Sequence, residues 1–158
     1  MPVQTSFINW PQEPDEYLEK ILGKERNERL NPIGTFVAND ISVSAGSDAP
    51  CTDPDPMLWI HNACNHPIEG QSLSVQEALR MCTYNGYYAT FDEKERGSLE
   101  VGKIADMVIL SENPYTIDKS KLRDIKVEQL YLKGKPYEKQ SKSVAGLMLS
   151  GMMSGRKC

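Results

Sequence analysis

The sequence predicts an α/β fold in which strands alternate with helices over residues 1–93 and a small antiparallel element follows over residues 94–138. Strand-like segments at Val3–Ile8 and Ile41–Ala45 are separated by helix-like segments, which is the rhythm of a βαβ unit with parallel pairing. After Gly97 the apolar runs are joined by turns, which favours antiparallel strands. We therefore expect an α/β part with a small antiparallel sheet beside it.

The first strand and helix are predicted from apolar spacing and from chain-breaking residues. Val3–Ile8 alternates apolar and polar side chains, and Trp10-Pro11 ends the alternation. Asp15 can cap a helix that ends at Gly23. The apolar face of this helix consists of Tyr17, Leu18, Ile21 and Leu22.

A shorter helix leads into the second strand. Pro32 suits the first helical position, and the helix is expected to end near Asn39. Ile41–Ala45 then alternates as a strand of about five residues until Gly46. The apolar positions of the helix are Ile33, Phe36 and Val37.

Asp48 lies just past the carboxyl end of that second strand. In a β/α barrel the loops after the strands form the reactive face, so an acid in this place is a candidate ligand or acid/base group. Alternatively, Asp48 begins a turn or caps the next helix, because the following Thr52–Pro56 segment is rich in turn residues. Spacing alone favours the second interpretation.

Three further helices are predicted at Pro56–Ala63, Val75–Thr83 and Tyr84–Phe91, the second with a capping box of Ser74 and Glu77. Expected buried positions are Met57, Trp59, Ile60, Cys64, Ala78, Leu79 and Cys82. The aromatic stripe of the third helix, expected to pack rather than to bind a ligand, is Tyr84, Tyr87, Tyr88 and Phe91. The expected antiparallel segments are Ala105–Leu110, Val127–Leu132 and, after a Lys133-Gly134-Lys135 turn, Pro136-Tyr137.

Length, composition and charge limit the kinds of protein that this chain can be. With 158 residues the chain fits one domain, or one domain and part of another. A net charge of −4 and a pI near 5.2 make nucleic acids and anionic membranes poor partners. The first ten residues lack the pattern of a signal peptide, so we expect a cytoplasmic protein. Residues 139–158 are expected to form a mobile tail, because their Gly-x-x-x-Gly match is too short and polar for a membrane helix.

The cysteines, at positions 51, 64, 82 and 158, show no Cys-x-x-Cys pair and are expected to be reduced. His61, Cys64 and His66 are chemically suited to zinc. On a helix His61 and Cys64 share a face, but His66 precedes Pro67 and is expected beyond the helix end. This weak spacing does not support a structural metal site.

Four segments in fixed order carry a family resemblance. They are GSDAPCTDPDPMLWIHNA at 46–63, SLSVQEALRMCTYNGYYATF at 72–91, KERGSLEVGKIADMVILSENPY at 94–115, and LYLKGKPY ending at Tyr137. Together they resemble the C-terminal part of the amidohydrolase superfamily, specifically the amidohydrolase 3 group of YtcJ-like enzymes and formamide deformylases. The resemblance spans roughly residues 3–138.

The resemblance implies a metal-dependent hydrolase built on a β/α barrel, with residues 1–93 as its last strand-helix units and residues 94–138 as strands of a satellite β-domain. In that family the acid after the last barrel strand is a metal ligand and proton shuttle, and Asp48 matches it. A divalent metal, with zinc expected, would lower the pKa of a bound water in the complete enzyme. Lys103 and Asp106 are expected to be structural, holding a turn before a strand.

The family's other metal ligands would precede residue 1, and neither His61 nor His66 matches one. We therefore expect this chain alone to bind no metal and to be inactive. The substrate is expected to be a small amide-type molecule of unknown identity, with the Thr52–Trp59 loop as the only sizeable specificity candidate.

Two hypotheses remain open. The chain is part of an enzyme that hydrolyses a non-peptide carbon–nitrogen bond, or it is a stand-alone, non-catalytic interaction or assembly module. In either case a partial barrel would expose a strand edge, which favours the missing N-terminal part or self-association as partner.

Overall fold

The computed structural model describes residues 1–138, so the tail predicted for residues 139–158 lies outside the described part. The strands are β1 (Pro2–Val3), β2 (Ser44–Ala45), β3 (Met107–Leu110), β4 (Val127–Leu132) and β5 (Lys135–Pro136). The α-helices are α1 (Asp15–Leu22), α2 (Lys24–Asn27), α3 (Ile33–Ala38), α4 (Pro56–Cys64), α5 (Val75–Cys82) and α6 (Tyr84–Ala89). Two 3-10 turns are Thr5–Phe7 and Lys119–Asp124. Helices and strands therefore mix as expected of an α/β protein.

The two N-terminal strands pair in parallel, as the βαβ rhythm predicts, with Pro2 opposite Ser44 and Val3 opposite Ala45. Both strands are shorter than predicted. The chain enters a 3-10 turn at Thr5, which ends the strand predicted to reach Ile8. Ile41 was predicted to begin the second strand, but its N–H donates to the Phe36 carbonyl at 2.9 Å in the turn that ends α3.

The helix predicted after Pro14 is present, but Pro14 rather than Asp15 is its N-cap. The Asp15 carboxylate instead accepts a hydrogen bond from Asn27 Nδ2, which ties α1 to α2. The predicted apolar face is poorly covered within residues 1–138, since Tyr17 is 48% and Ile21 is 59% exposed. The short helix α2 was not predicted.

The core lies between α3, α4, α5, β2 and the second 3-10 turn. Ile33, Val43, Met81 and Leu122 are fully buried there. Leu122 belongs to the second 3-10 turn, which the apolar pattern did not predict and which packs on α4. Residues from the two predicted domains, 1–93 and 94–138, thus share one core. The domain boundary between residues 93 and 94 stays a prediction. In α4, Met57, Ile60 and Cys64 are buried as predicted, whereas Trp59 is only partly buried.

The capping box at the start of α5 is confirmed. Glu77 N–H donates to Ser74 Oγ at 3.2 Å, while Ser74 N–H and the Ser74 hydroxyl donate to Glu77 Oε2 at 2.8 and 2.6 Å. These bonds satisfy backbone donors that the first helical turn leaves free. They also lower the pKa of the Glu77 carboxyl, because they favour its charged form.

We expect Ser74→Ala to lower the free energy of unfolding by about 1 kcal/mol at neutral pH. Because the pKa of Glu77 is lowered in the folded chain, that part of the stabilisation is complete above the unfolded pKa of about 4.3 and is lost as the pH falls through the folded value. Urea unfolding at pH 7 and pH 3 should therefore give a smaller difference from wild type at pH 3. Gln76→Ala, on an exposed neighbouring position, is the control. An equal difference at both pH values would show that the carboxylate contributes nothing.

The predicted aromatic stripe packs only in part. Tyr84 and Tyr88 stack with ring centroids 6.4 Å apart, and the Arg80 guanidinium lies 4.2 Å from the Tyr84 ring centroid. Phe91 was expected to pack, but helix α6 ends at Ala89 and leaves Phe91 89% exposed.

The antiparallel sheet has the order β3-β4-β5, with Met107 opposite Tyr131. The segment before β3 is held by Asp106, whose Oδ2 binds Arg96 and whose Oδ1 accepts from Lys133 N–H at 2.8 Å. Lys103 Nζ donates to the Glu93 carbonyl at 2.7 Å and to Ser98 Oγ at 2.6 Å. As expected, Lys103 and Asp106 hold the turn before β3 through these bonds.

Among residues 1–138, no helix is both long and apolar enough to cross a lipid bilayer.

Candidate functional site

Asp48 follows the carboxyl end of the parallel strand pair. Gly46 N–H donates to the Val3 carbonyl at 2.9 Å, which extends the pairing one residue beyond β2. Asp48 then has a left-handed backbone with φ of 58°, a conformation that Asp and Asn tolerate better than most residues. Its side chain is exposed, and its carboxylate makes no hydrogen bond or ion pair within the described residues. An acid is thus presented free at the end of two parallel strands.

Asp48 does not cap the next helix, which was the alternative role that the sequence offered for it. Helix α4 is capped by Asp55, whose carboxylate accepts from Met57 N–H at 3.0 Å. Asp48 does begin a turn, since its carbonyl accepts from Cys51 N–H at 2.9 Å. That turn uses only the backbone of Asp48 and leaves the carboxylate available for chemistry.

The residue before Asp48 is held by hydroxyl groups from two other parts of the chain. The Ser47 carbonyl accepts from Thr52 Oγ1 and, at 3.3 Å, from Ser6 Oγ. On the other side of the turn, Ala49 N–H donates to Ser47 Oγ at 3.1 Å. Sequence reasoning missed Ser6 and Thr52, because nothing in their spacing indicates that they meet.

Two amides tie the helices to the strand ends. Asn62 Nδ2 of α4 donates to the Thr5 carbonyl at 3.1 Å, and Asn85 Nδ2 of α6 donates to the Val43 carbonyl at 2.7 Å. The Thr5 carbonyl also accepts from Ile8 N–H at 3.2 Å in the 3-10 turn, so the Asn62 amide is its second donor. Helix α4 is thus tied to the segment that follows β1, and α6 is tied to the residue that precedes β2.

The cysteine and histidine set does not form a metal centre in the described part of the chain. No group of three His, Cys, Asp or Glu side chains converges there. Burial raises the pKa of the Cys64 thiol to about 11, which opposes the thiolate form that zinc requires. His66 Nδ1 accepts from Ile68 N–H at 3.1 Å, so that nitrogen is not free to bind a metal.

The donor chemistry of Asp48 fits one ligand of a divalent metal. A free, exposed carboxylate on a backbone held by hydrogen bonds is a suitable oxygen donor. Catalytic zinc sites in proteins normally use three protein ligands. Within residues 1–138 no group of three or more His, Cys, Asp or Glu side chains is arranged to hold a metal ion.

A cavity of about 840 Å³ lies between the segment that follows β1, helices α1 and α2, and the loop after α4. Phe7, Trp10, Leu18 and His66 are among its lining residues, and Phe7 and Trp10 meet edge to face with centroids 4.9 Å apart. Asp48 does not line it. The cavity is therefore separate from the position where we expect chemistry.

The chain belongs to the amidohydrolase family, whose sequence profile matches residues 2–137. It is similar to the putative amidohydrolase YtcJ of Bacillus subtilis strain 168, with 32% identity over 129 residues. That match covers 75% of this chain and 24% of the relative. The N-substituted formamide deformylase of Arthrobacter pascens is 30% identical over 135 residues, or 81% of this chain and 23% of the relative. The chain thus spans about a quarter of the length of these curated relatives.

Solved structures share the fold. A zinc-bound adenosine deaminase from Xanthomonas campestris matches with a TM-score of 0.57 and 22% identity, over 79% of this chain and 33% of that one. An amidohydrolase from Thermotoga maritima matches with a TM-score of 0.54 and 20% identity, over 68% and 26% of the two chains. At these identities the likeness concerns the fold alone.

Proposed function

We propose that this chain is the C-terminal part of a metal-dependent amidohydrolase that hydrolyses a non-peptide carbon–nitrogen bond in a small molecule in the cytoplasm. The observation that carries the proposal is the free Asp48 carboxylate at the carboxyl end of β1 and β2, in a chain that belongs to the amidohydrolase family. The ends of parallel strands are where barrel enzymes place their catalytic groups. Residues 1–93 would be the last units of that barrel, and residues 94–138 would be strands of a satellite β-domain.

In this proposal Asp48 has two tasks. It binds a divalent metal, with zinc as the expected ion, together with ligands from the rest of the enzyme. When bound, such an ion supplies a water whose pKa is lowered towards 7. The Asp48 carboxylate accepts the proton of the attacking water and returns it to the nitrogen that leaves. A side chain that is already free of hydrogen bonds within the described residues needs none broken to accept that proton.

The reactions named for two relatives narrow the class of substrates to test. The Arthrobacter pascens relative is named for N-substituted formamides, and a relative from Thermoanaerobacter pseudethanolicus, 38% identical over 85 residues, is named as a 5-methylthioadenosine/S-adenosylhomocysteine deaminase. Both names describe cleavage of a non-peptide carbon–nitrogen bond. N-alkylformamides are therefore the first substrates to test, because the formamide relative matches more of this chain.

The test compares the isolated chain with the same chain joined to the coding sequence upstream of residue 1, where we expect a His-x-His motif. Metal content is measured by mass spectrometry, and hydrolysis by formate release from N-butylformamide and ammonia release from adenosine. We expect bound metal and hydrolysis in the joined protein and neither in the isolated chain. Hydrolysis by the isolated chain, or a joined protein that binds no metal, would overturn the proposal. A stable, metal-free oligomer with no hydrolysis in either form would support a non-catalytic assembly module.

A further inference from the structure

The peptide that leads into Asp48 is fixed by two buried hydroxyl groups. Thr52 is 9% and Ser6 is 4% exposed, and both hydroxyls donate to the carbonyl of Ser47. Ser6 comes from the 3-10 turn after β1, whereas Thr52 comes from the loop on the far side of Asp48. The Ser47 oxygen is thus held from both sides of the turn.

Holding that oxygen also sets the direction in which Asp48 leaves the strand. The Ser47 carbonyl and the Asp48 nitrogen belong to one planar peptide unit, so an oxygen held by two donors restricts the orientation of the Asp48 N–Cα bond. The left-handed φ of Asp48 and the bond from Cys51 N–H to its carbonyl then define the rest of the turn. The carboxylate is carried on this backbone without a side-chain bond of its own within the described residues.

We propose that Thr52 is a positioning residue for the reaction, acting through the Ser47 carbonyl to hold the Asp48 carboxylate in the geometry that its metal and proton-transfer roles need. The inference rests on the proposed role of Asp48. Thr52 is the stronger of the two candidate hydroxyls, because Ser6 makes a long bond of 3.3 Å to Ser47 and shares its hydroxyl with the Gly46 carbonyl at 3.4 Å. Outer groups that orient a metal ligand affect metal affinity or activity by about 10- to 100-fold.

The test uses Thr52→Val, which removes the hydroxyl with little change of shape, and Thr52→Ser, which retains it. In the isolated chain without metal, hydrogen exchange at the Cys51 amide reports on the turn. We expect Thr52→Val to speed that exchange about tenfold or more, and Thr52→Ser to leave it within about threefold of wild type. Thr5→Val is the matched control, because Thr5 is 1% exposed and its hydroxyl has no hydrogen-bond partner within residues 1–138.

The joined protein gives the second readout. We expect Thr52→Val to lower kcat for formate release about 10- to 100-fold, with KM within about twofold, and Thr52→Ser to restore most of kcat. An unchanged kcat and unchanged exchange in Thr52→Val, beside an inactive Asp48→Asn, would overturn the positioning role and leave the proposed function intact. An Asp48→Asn protein that remains fully active would instead overturn the proposed function, and with it the positioning role of Thr52.

Discussion

Asp48→Asn is expected to lower kcat of the joined protein by about 10³-fold or more, because it removes a free carboxylate at the carboxyl end of β1 and β2 and with it the proposed proton acceptor. Asn is the appropriate replacement, since it tolerates the left-handed φ of 58° that would strain Ala. The loss should therefore come from the charge and not from the backbone. Steady-state kinetics of formate release and metal content by mass spectrometry check it.

The sequence offers a closely matched control. Asp40 is also exposed and also has φ of 58°, but it precedes β2 rather than following it. Asp40→Asn makes the same chemical change on the same backbone conformation at the opposite end of the strand. We expect its kcat to stay within about twofold of wild type, because catalytic groups of a barrel come from the carboxyl ends of its strands. Equal losses in both variants would argue against a specific role for Asp48.

Gly34→Ala is expected to reduce the free energy of unfolding by about 2–3 kcal/mol through overpacking. Gly34 lies within α3, and a Cβ there would collide with the Gly70 carbonyl oxygen and lie 2.7 Å from Gln71 Cα. These are backbone atoms, so no side chain can rotate away to relieve the collision. The loop would have to move and would weaken the two bonds that join Gln71 to Thr35, of 3.0 and 2.9 Å.

Gly86→Ala provides the comparison for this prediction. Gly86 is also helical, but apart from its two chain neighbours and its own helix backbone no atom of the described residues lies within 4 Å of the position that its Cβ would occupy. Replacing a helical glycine by alanine without steric conflict stabilises by about 0.5–1 kcal/mol. Urea unfolding of both variants should move the midpoint in opposite directions. A Gly34→Ala variant as stable as wild type would show that the loop at residues 70–71 moves at little cost in free energy.

The sequence patterns that predicted the structure correctly are local. The Ser74 and Glu77 capping box, helix α4 and strand β4 each depend on residues within a few positions of one another, and the structure places all three as predicted. The failures have two causes: a local turn that the alternation of residues did not reveal, and a contact between distant parts of the chain. Ile41 was expected in a strand, but its N–H is taken by the Phe36 carbonyl. Leu122 was not among the predicted core positions, yet it is fully buried because its turn packs on α4.

The candidate site likewise has a part that the sequence predicted and a part that it did not. Asp48 was found from the sequence, because a glycine-terminated strand and the surrounding motifs indicate its place in the chain. Thr52 and Ser6 were not found, because their shared target, the Ser47 carbonyl, is a backbone atom with no signature in the residue pattern. A hydrogen bond between Ser6 and Ser47 joins residues 41 positions apart.

By itself, then, the sequence determined the α/β class, the identity of the acid after β2 and the membership in the amidohydrolase family, because each of these depends on residue types and their order along the chain. Only the tertiary structure decided that Asp48 caps no helix, that its carboxylate is free within the described residues, and that two hydroxyls hold the peptide before it. These properties depend on which atoms meet in space after the chain has folded, and burial and hydrogen-bond geometry decide that.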